Sequence, residues 1–238
     1  MKIAIYNENF HEQTEKTVKK IYPDGIHGAI KAGIADDEFE IDTVTLESID
    51  KLTDEYLNNT DVLIWWGHVK HGEVSDEIAE RVANAVNKGM GIIFLHSAHF
   101  SKPFKKLMGT PCNLTWRENG DRELLWVTNP SHPIAQGIGR FIKLDHEEAY
   151  GEPFGIPEPD ELVFIGSFQG GEVFRAGCCY KRGMGKVFYF QPGHETYPIY
   201  YEKDILKVIK NAVLWAKPIY RTNSLDAPNV QIPLEEIL

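Results

Sequence analysis

The clearest fold signal in the sequence lies in residues 61–95, which read DVLIWWGHVKHGEVSDEIAERVANAVNKGMGIIFL. Two runs within it, Asp61–Trp66 and Gly91–Leu95, are apolar on both faces, which is typical of parallel strands covered by helices. Between them, Ser75 can cap a helix whose apolar stripe ends at Gly89. The segment therefore predicts a right-handed βαβ unit.

The flanking segments extend this unit in both directions. Upstream, Lys2–Tyr6 and Phe39–Leu46 have the composition of strands. Downstream, short strands alternate with glycine-rich hairpin turns such as Gly170-Gly171. These downstream strands are Leu114–Arg117, Glu123–Thr128, Phe141–Leu144, Leu162–Phe168, Glu172–Tyr180 and Lys186–Phe190. The whole pattern predicts an α/β protein with a doubly wound, mostly parallel sheet and an antiparallel extension.

One domain is predicted over residues 1–217, because no linker separates the two halves of the chain. The last helix has its apolar residues on one face and ends before Pro218, a residue that cannot continue it. Residues 218–238 then form a polar, proline-interrupted C-terminal tail in this interpretation.

Composition limits the classes of partner. The chain carries 25 Lys and Arg against 35 Asp and Glu, a formal charge of −10, so binding to nucleic acid or an anionic membrane is disfavoured and neutral or cationic small ligands fit better. We expect no cleavable leader, because Met1–Tyr6 enters an apolar strand directly, and no apolar run approaches about 18 residues. Three cysteines, Cys112, Cys178 and Cys179, are a poor basis for a disulfide framework. We expect a cytoplasmic protein. The sequence does not decide whether it forms a homo-oligomer.

Histidines gather where the predicted strands end. Six of the nine do so: His68, His71, His96, His99, His146 and His194. Because the ends of neighbouring parallel strands share one crevice, these rings can meet in a single pocket. Imidazole binds zinc well, so we expect a divalent metal, zinc first, held among His68, His71, His96, His99 and His194. The alternative is that each is an ordinary loop histidine, solvated or bonded to backbone.

Two acidic segments accompany the histidines. Asp145–Glu152 is interpreted as an ordered turn after an apolar strand, with Glu147 or Glu148 as general base or metal ligand. The pair His194-Glu195 follows another strand, and Glu195 can orient the imidazole beside it. In the alternative interpretation, the acidic run is a solvated loop and Glu195 faces water.

Aromatic side chains near these segments are candidates for stacking on a sugar ring. The candidates are Trp66, Trp116, Tyr150 and Tyr197. Core packing is the more common role for each of them.

At this point the sequence resembles a known family. The strings Trp66-Gly67-His68, Gly89–His99 and Gly193-His194-Glu195 resemble the trehalose-utilisation (ThuA-like) family, as does the block that ends at Arg175, a candidate substrate-binding residue. The resemblance covers nearly the whole chain up to Pro218. It implies a class I glutamine amidotransferase-like, flavodoxin-like fold.

The amidotransferases that share this implied fold have a cysteine in the sharp turn after a central strand, paired with a later His-x-Glu. Here the matching turn is Leu95-His96-Ser97-Ala98, which contains no cysteine. Glutaminase chemistry therefore has no nucleophile, and a role for Ser97 in its place requires a paired base and an oxyanion hole.

The resemblance implies a part in disaccharide catabolism, on trehalose-like sugars or their keto forms alongside a dehydrogenase. The leading hypothesis is an enzyme, a hydrolase, lyase or isomerase, in which a metal or the residues His96, Glu147, Glu148, His194 and Glu195 carry the chemistry. One alternative is a noncatalytic sugar-binding or regulatory module, and another is a hydrolase with Ser97 as nucleophile. A Rossmann dehydrogenase is disfavoured because Asn7-Glu8-Asn9 follows the first strand where a glycine motif is needed.

Overall fold

The computed structural model describes residues 1–227 and 229–237, and its centre is a nine-stranded mixed sheet. The strands are β1 (Lys2–Asn7), β2 (Glu40–Thr45), β3 (Val62–Trp66), β4 (Gly91–Leu95), β5 (Thr115–Val127), β6 (Phe141–Gly151), β7 (Glu161–Phe168), β8 (Val173–Arg182) and β9 (Gly185–Phe190). Their order in the sheet is β2-β1-β3-β4-β9-β8-β7-β5-β6.

Seven α-helices occur in the described ranges: α1 (His11–Thr14), α2 (Lys16–Ile21), α3 (Gly25–Ile34), α4 (Asp54–Asn58), α5 (Asp76–Asn87), α6 (Lys102–Met108) and α7 (Lys203–Ala216). Helix α1 contacts α2, helix α3 contacts α7, and α5 contacts both α4 and α6. The predicted cap of α5 is confirmed, because the Ile78 amide donates to Ser75 Oγ at 3.2 Å.

The α/β class is confirmed, but the prediction of a mostly parallel sheet is wrong. Strands β2, β1, β3, β4 and β9 pair in parallel, and β9, β8, β7, β5 and β6 pair antiparallel. Strand β9 belongs to both halves: it follows β8 through a tight hairpin and lies parallel to β4. The hairpin strands therefore join the same sheet and form half of it.

The acidic run is part of a strand, which corrects the prediction of a turn after Leu144. Strand β6 continues through the run to Gly151 and pairs there with the beginning of β5. The two strands predicted at Leu114–Arg117 and Glu123–Thr128 are one strand, β5, with two register shifts in its middle. Because of this extension, Glu147 and Glu148 occupy consecutive strand positions.

The C-terminal tail begins after α7 and is anchored at its start. Arg221 Nη1 donates to the Asn58 carbonyl at 2.9 Å. The described part of the tail contains one short 3₁₀ turn, Leu234–Glu236. Among residues 1–227 and 229–237, no helix is both long and apolar enough to cross a membrane.

Candidate functional site

A cavity of about 540 Å³ lies at the carboxyl ends of the parallel strands. His68 follows β3, His96 follows β4 and His194 follows β9, while Glu148 comes from β6 in the antiparallel half. His68, His194 and Glu148 line the cavity, and His96 lies fully buried behind its wall, with Nε2 3.1 Å from Glu148 Oε2. A larger depression of about 730 Å³, near the amino ends of β1 and β2, has no histidine among the described residues that line it. The candidate site is therefore the carboxyl-end cavity.

His96 lies in the sharp turn directly after β4 and has a positive φ of 52°. Its Nδ1 is 3.0 Å from the Gln191 carbonyl oxygen. Since a carbonyl only accepts, Nδ1 carries a hydrogen and Nε2 faces Glu148 Oε2 at 3.1 Å. Burial lowers the pKa of His96, but the Glu148 carboxylate outweighs it and raises the pKa to about 8. Without a cation, His96 and Glu148 form a buried ion pair.

Glu195 lies between two histidines, one of which lines the cavity. Its Oε1 is 3.3 Å from His68 Nδ1 and 3.0 Å from His11 Nδ1. Burial raises the pKa of Glu195, yet the two histidine contacts hold it far below its usual value. Glu195 is therefore an anion in contact with His68 and His11. The sequence analysis expected it to orient its neighbour His194, whose Nε2 is farther away, at 3.9 Å.

The turn that carries His194 is held by Glu147 and Trp66. Glu147 accepts the Gly193 amide at 2.8 Å and the His194 amide at 3.2 Å, and Trp66 Nε1 donates to the Gly193 carbonyl at 3.1 Å. Burial raises the pKa of Glu147 to about 7. Glu147 is not among the residues that line the cavity, so it positions His194 and is not placed as a general base or a metal ligand.

The ring of His194 has its own partner inside this turn. Its Nδ1 is 2.8 Å from Thr196 Oγ1. Burial, followed by the charge of His96, lowers the pKa of His194 to about 4. His194 is therefore a neutral imidazole at physiological pH.

Three of the five predicted metal ligands come together. Donor atoms of His68, His96, His194 and Glu148 all lie within 4.8 Å of one another. We call these four residues the front site. A buried set of three imidazoles and one carboxylate has the donor chemistry of a zinc site.

His71 and His99 line the cavity but are not part of the front site. His99 Nδ1 donates to the Cys112 carbonyl at 2.8 Å, and burial lowers the pKa of His99 to about 3. Burial also lowers the pKa of His71, to about 4. Both rings are therefore neutral and can exchange hydrogen bonds with a bound ligand.

The predicted sugar-stacking residues divide into two groups. Trp116, 68% exposed, and Tyr150 line the cavity, and Tyr197 donates at 2.6 Å to Glu118, which also lines it. Trp66 is fully buried. Arg175 is paired with Glu152 at 2.8 Å, and neither Trp66 nor Arg175 lines the cavity. The structure therefore places these two predicted substrate-binding residues outside the lining of the cavity.

Ser97 has no histidine base in the described structure. Its hydroxyl is 2.9 Å from Tyr150 Oη, and Tyr150 Oη is 3.5 Å from His96 Nε2. The elbow position, with its positive φ, belongs to His96. This arrangement lacks the nucleophile–base contact that a serine hydrolase needs.

His11 is the main site residue that the sequence interpretation missed. It lies four positions after the end of β1, on the first turn of α1. The rule that collected the other histidines, proximity to a strand end, would have found it if applied evenly, because His71 lies five positions after the end of β3. Glu118 and Asn113, which also line the cavity, carried no comparable signal.

The ThuA sequence profile, described as trehalose utilisation, matches residues 2–216. The chain belongs to the ThuA family. No curated protein sequence matches it. The match to the ThuA profile includes every residue of the front site, as well as His11 and Glu195.

Solved structures of the same fold include other ThuA-like proteins. A putative ThuA-like protein from Bacteroides uniformis is 17% identical with a TM-score of 0.66, covering 91% of each chain. One from Parabacteroides merdae is 13% identical with a TM-score of 0.62, covering 93% of this chain and 92% of that one. A catalytic mutant of a GH42 β-galactosidase from G. stearothermophilus is 12% identical with a TM-score of 0.54, over 91% of this chain and 30% of that chain. At these identities the likeness concerns the fold alone.

Proposed function

We propose that this ThuA-family protein is an enzyme of sugar utilisation that processes a disaccharide or its keto form, with a divalent cation, zinc first, held by the front site. The observation that carries the proposal is the convergence of donor atoms from His68, His96, His194 and Glu148 within 4.8 Å of one another, at the wall of a cavity that three of them line. Perturbed titratable groups that converge in a cavity are the usual mark of an active site.

The contacts within the front site fit a cation. His96 Nε2 is 3.1 Å from Glu148 Oε2, yet this buried oxygen has no hydrogen-bond partner, so the two atoms are close without being aligned as donor and acceptor. In a tetrahedral zinc site with bonds of about 2.0–2.2 Å, neighbouring ligand atoms are roughly 3.3 Å apart. The contact therefore has the length of an edge of such a site.

Two of the three histidines have on Nδ1 the supporting partner that a metal-binding histidine requires. His96 Nδ1 contacts the Gln191 carbonyl, and His194 Nδ1 contacts Thr196. Such partners fix the ring orientation and leave the opposite nitrogen available as a ligand. The residues present thus fit the group that the proposal places there.

The bound cation would supply Lewis-acid polarisation of a substrate oxygen. The chain's own residues orient the substrate and move the proton. With the cation bound, His96 and Glu148 would be among its ligands; without it, Glu148 accepts a proton and His96 beside it returns one. Tyr150 presents its hydroxyl between Ser97 and His96. In the purely acid–base form of the proposal, the same His96–Glu148 pair performs both transfers.

The test combines elemental analysis with turnover of a keto-disaccharide, on tag-free protein. Glu148→Gln is nearly isosteric and removes the anionic ligand, so it should carry about one equivalent of zinc less than the wild type and lose turnover. His99→Asn lines the same cavity outside the front site and is the matched control, expected to keep its zinc. Full turnover in Glu148→Gln would contradict the proposal in both its forms.

A second candidate function is a noncatalytic sugar-binding module, favoured by one observation. Trp116 is a large aromatic side chain left 68% exposed at the cavity, as a stacking platform for a sugar ring would be. Saturable binding of a disaccharide by calorimetry, lost in Trp116→Ala and without turnover under any metal condition, would support this module over the enzyme.

A further inference from the structure

Behind His68, a second group of donor atoms lies outside the front site. His11 comes from α1 after β1, His68 from the turn after β3, and Glu195 from the turn after β9. One donor atom from each lies within 4.8 Å of the other two. His11 is 6% exposed and Glu195 is 3% exposed. We call these three residues the rear site.

The rear site contains polar atoms that the described protein leaves unsatisfied. His11 Nδ1 and His68 Nδ1 are 3.0 and 3.3 Å from Glu195 Oε1. Both nitrogens, and also Glu195 Oε2, are buried without a hydrogen-bond partner. Each such group costs about 1–3 kcal/mol when it stays unpaired. Three unpaired polar atoms on these adjacent residues therefore destabilise the fold unless a ligand binds there.

The spacing of these atoms indicates what binds. The two nitrogen–oxygen contacts are too poorly aligned to be hydrogen bonds, but they have the length of an edge of a zinc tetrahedron, roughly 3.3 Å. Two histidines and a glutamate with a fourth position open are the ligand set of catalytic zinc sites. We infer that His11, His68 and Glu195 form a second divalent-cation site, selective for zinc-like ions over magnesium or calcium.

The backbone around the rear site is built to hold these donors in place. Glu8 accepts the Val69 and Lys70 amides, both at 2.9 Å, and so fixes the turn that carries His68. Asn9 has a positive φ of 53°, and its amide donates to Asn7 Oδ1 at 2.9 Å, so the chain between β1 and His11 is also fixed. Positioned donors of this kind are what a metal site requires.

The two sites share one residue and differ in the others. His68 faces Glu195 with Nδ1, and its ring has a second nitrogen for the front site; with both sites filled, the ring would be a bridging imidazolate whose N–H proton is released to water. His11 belongs to the rear site alone, and Glu148 to the front site alone. The inference therefore does not rest on the proposed function, and each site can be removed separately.

The experiment measures zinc per chain by plasma mass spectrometry after dialysis, in full-length wild type, His11→Ala, Glu148→Gln and the double variant. We expect about two equivalents in the wild type, about one in each single variant and none in the double variant. His146→Ala, an exposed histidine, is the control. Circular dichroism and thermal melting establish that each variant is folded. If His11→Ala does not fold, Glu195→Gln replaces it, with zinc affinity at the rear site expected to fall at least about 10-fold.

The outcomes separate the two proposals. If the wild type binds at most one equivalent of zinc and His11→Ala binds the same amount, the rear site is contradicted and the front site is not. Loss in His11→Ala with no loss in Glu148→Gln would support the rear site and contradict the front one. A wild type that takes up no zinc overturns the rear site, and turnover of Glu148→Gln then decides the acid–base form of the proposed function.

Discussion

Glu147 and Glu148 are adjacent on β6, yet their carboxylates contact different parts of the site. Glu148 Oε2 is 3.1 Å from His96 Nε2 at the wall of the cavity. Glu147 accepts the amides of Gly193 and His194 beneath the turn after β9. Successive strand side chains point to opposite faces, and the continuation of β6 through this segment produces the division. One carboxylate lines the cavity, and the other holds a turn.

The two carboxylates should therefore respond differently to the same change. Glu148→Gln should lower turnover about 100-fold or more, because it removes the proton acceptor. Glu147→Gln replaces one accepting oxygen by an amide donor that faces backbone N–H groups, so it should lower the free energy of unfolding by about 1–3 kcal/mol. Urea denaturation and steady-state kinetics on both variants measure the contrast. Equal losses of stability in the two would contradict this division.

Gly193 is required by the turn that carries His194. Its φ is +145°, and a Cβ there would overlap the Tyr200 hydroxyl. Gly171 is the matched control, with a φ of +98° and no atom within 4 Å of the added carbon. Gly171→Ala should lower the free energy of unfolding by about 1–2 kcal/mol, for the backbone conformation alone. Gly193→Ala should lower it by roughly a further 1–3 kcal/mol, which is the usual cost of overpacking.

The control for the overlap is Gly193→Ala combined with Tyr200→Phe, which removes the hydroxyl. Thermal denaturation of the single and double variants gives the coupling between the two positions. If the double variant is no more stable than additivity predicts, the overlap is not the cause of the loss.

The parallel half of the fold was predictable because its signals are local. Asp61–Trp66 and Gly91–Leu95 are apolar on both faces, and Ser75 and Gly89 bound the helix between them, so β3, α5 and β4 follow from neighbouring residues. The same locality placed His68, His96 and His194 near strand ends. The topology of a parallel sheet then brings those ends together without further information.

The rest of the site depends on long-range pairing that no local pattern contains. Glu148 reaches the cavity because β6 continues past Leu144 and pairs with the beginning of β5 through two register shifts. Charged residues in an acidic run resemble a loop until the partner strand is known. Trp66 was assigned to the cavity from its position alone, whereas its indole is buried and bonded to Gly193.

Ser97 is expected to be dispensable as a nucleophile. Its hydroxyl contacts Tyr150 at 2.9 Å and has no histidine partner in the described structure. Ser97→Ala should keep turnover within about 10-fold of the wild type, since only one neutral hydrogen bond is lost. A fluorophosphonate probe should leave Ser97 unmodified in a peptide map. Labelling at Ser97 that disappears in Ser97→Ala would overturn this expectation and restore the hydrolase hypothesis.

His99 should make the stability of the fold sensitive to acid. Burial lowers the pKa of His99 to about 3, from a usual value of 6.5, while its Nδ1 donates to the Cys112 carbonyl. Between these two pH values the unfolded chain binds a proton that the folded chain does not. The contribution of His99 to the free energy of unfolding is therefore fully present above pH 6.5 and is lost as the pH drops toward 3. Within this range, His99 changes the free energy of unfolding by up to about 1.4 kcal/mol for each pH unit.

The variant His99→Asn keeps an amide donor near the Cys112 carbonyl and removes the titrating ring. Urea denaturation at several pH values between 4 and 7 should give a shallower slope for this variant than for the wild type, whatever its absolute stability. His146→Asn changes an exposed histidine and should leave the slope unchanged. If the free energy of unfolding of His99→Asn depends on pH as steeply as that of the wild type, His99 does not have a lowered pKa in the folded protein. The acid sensitivity must then come from other buried groups.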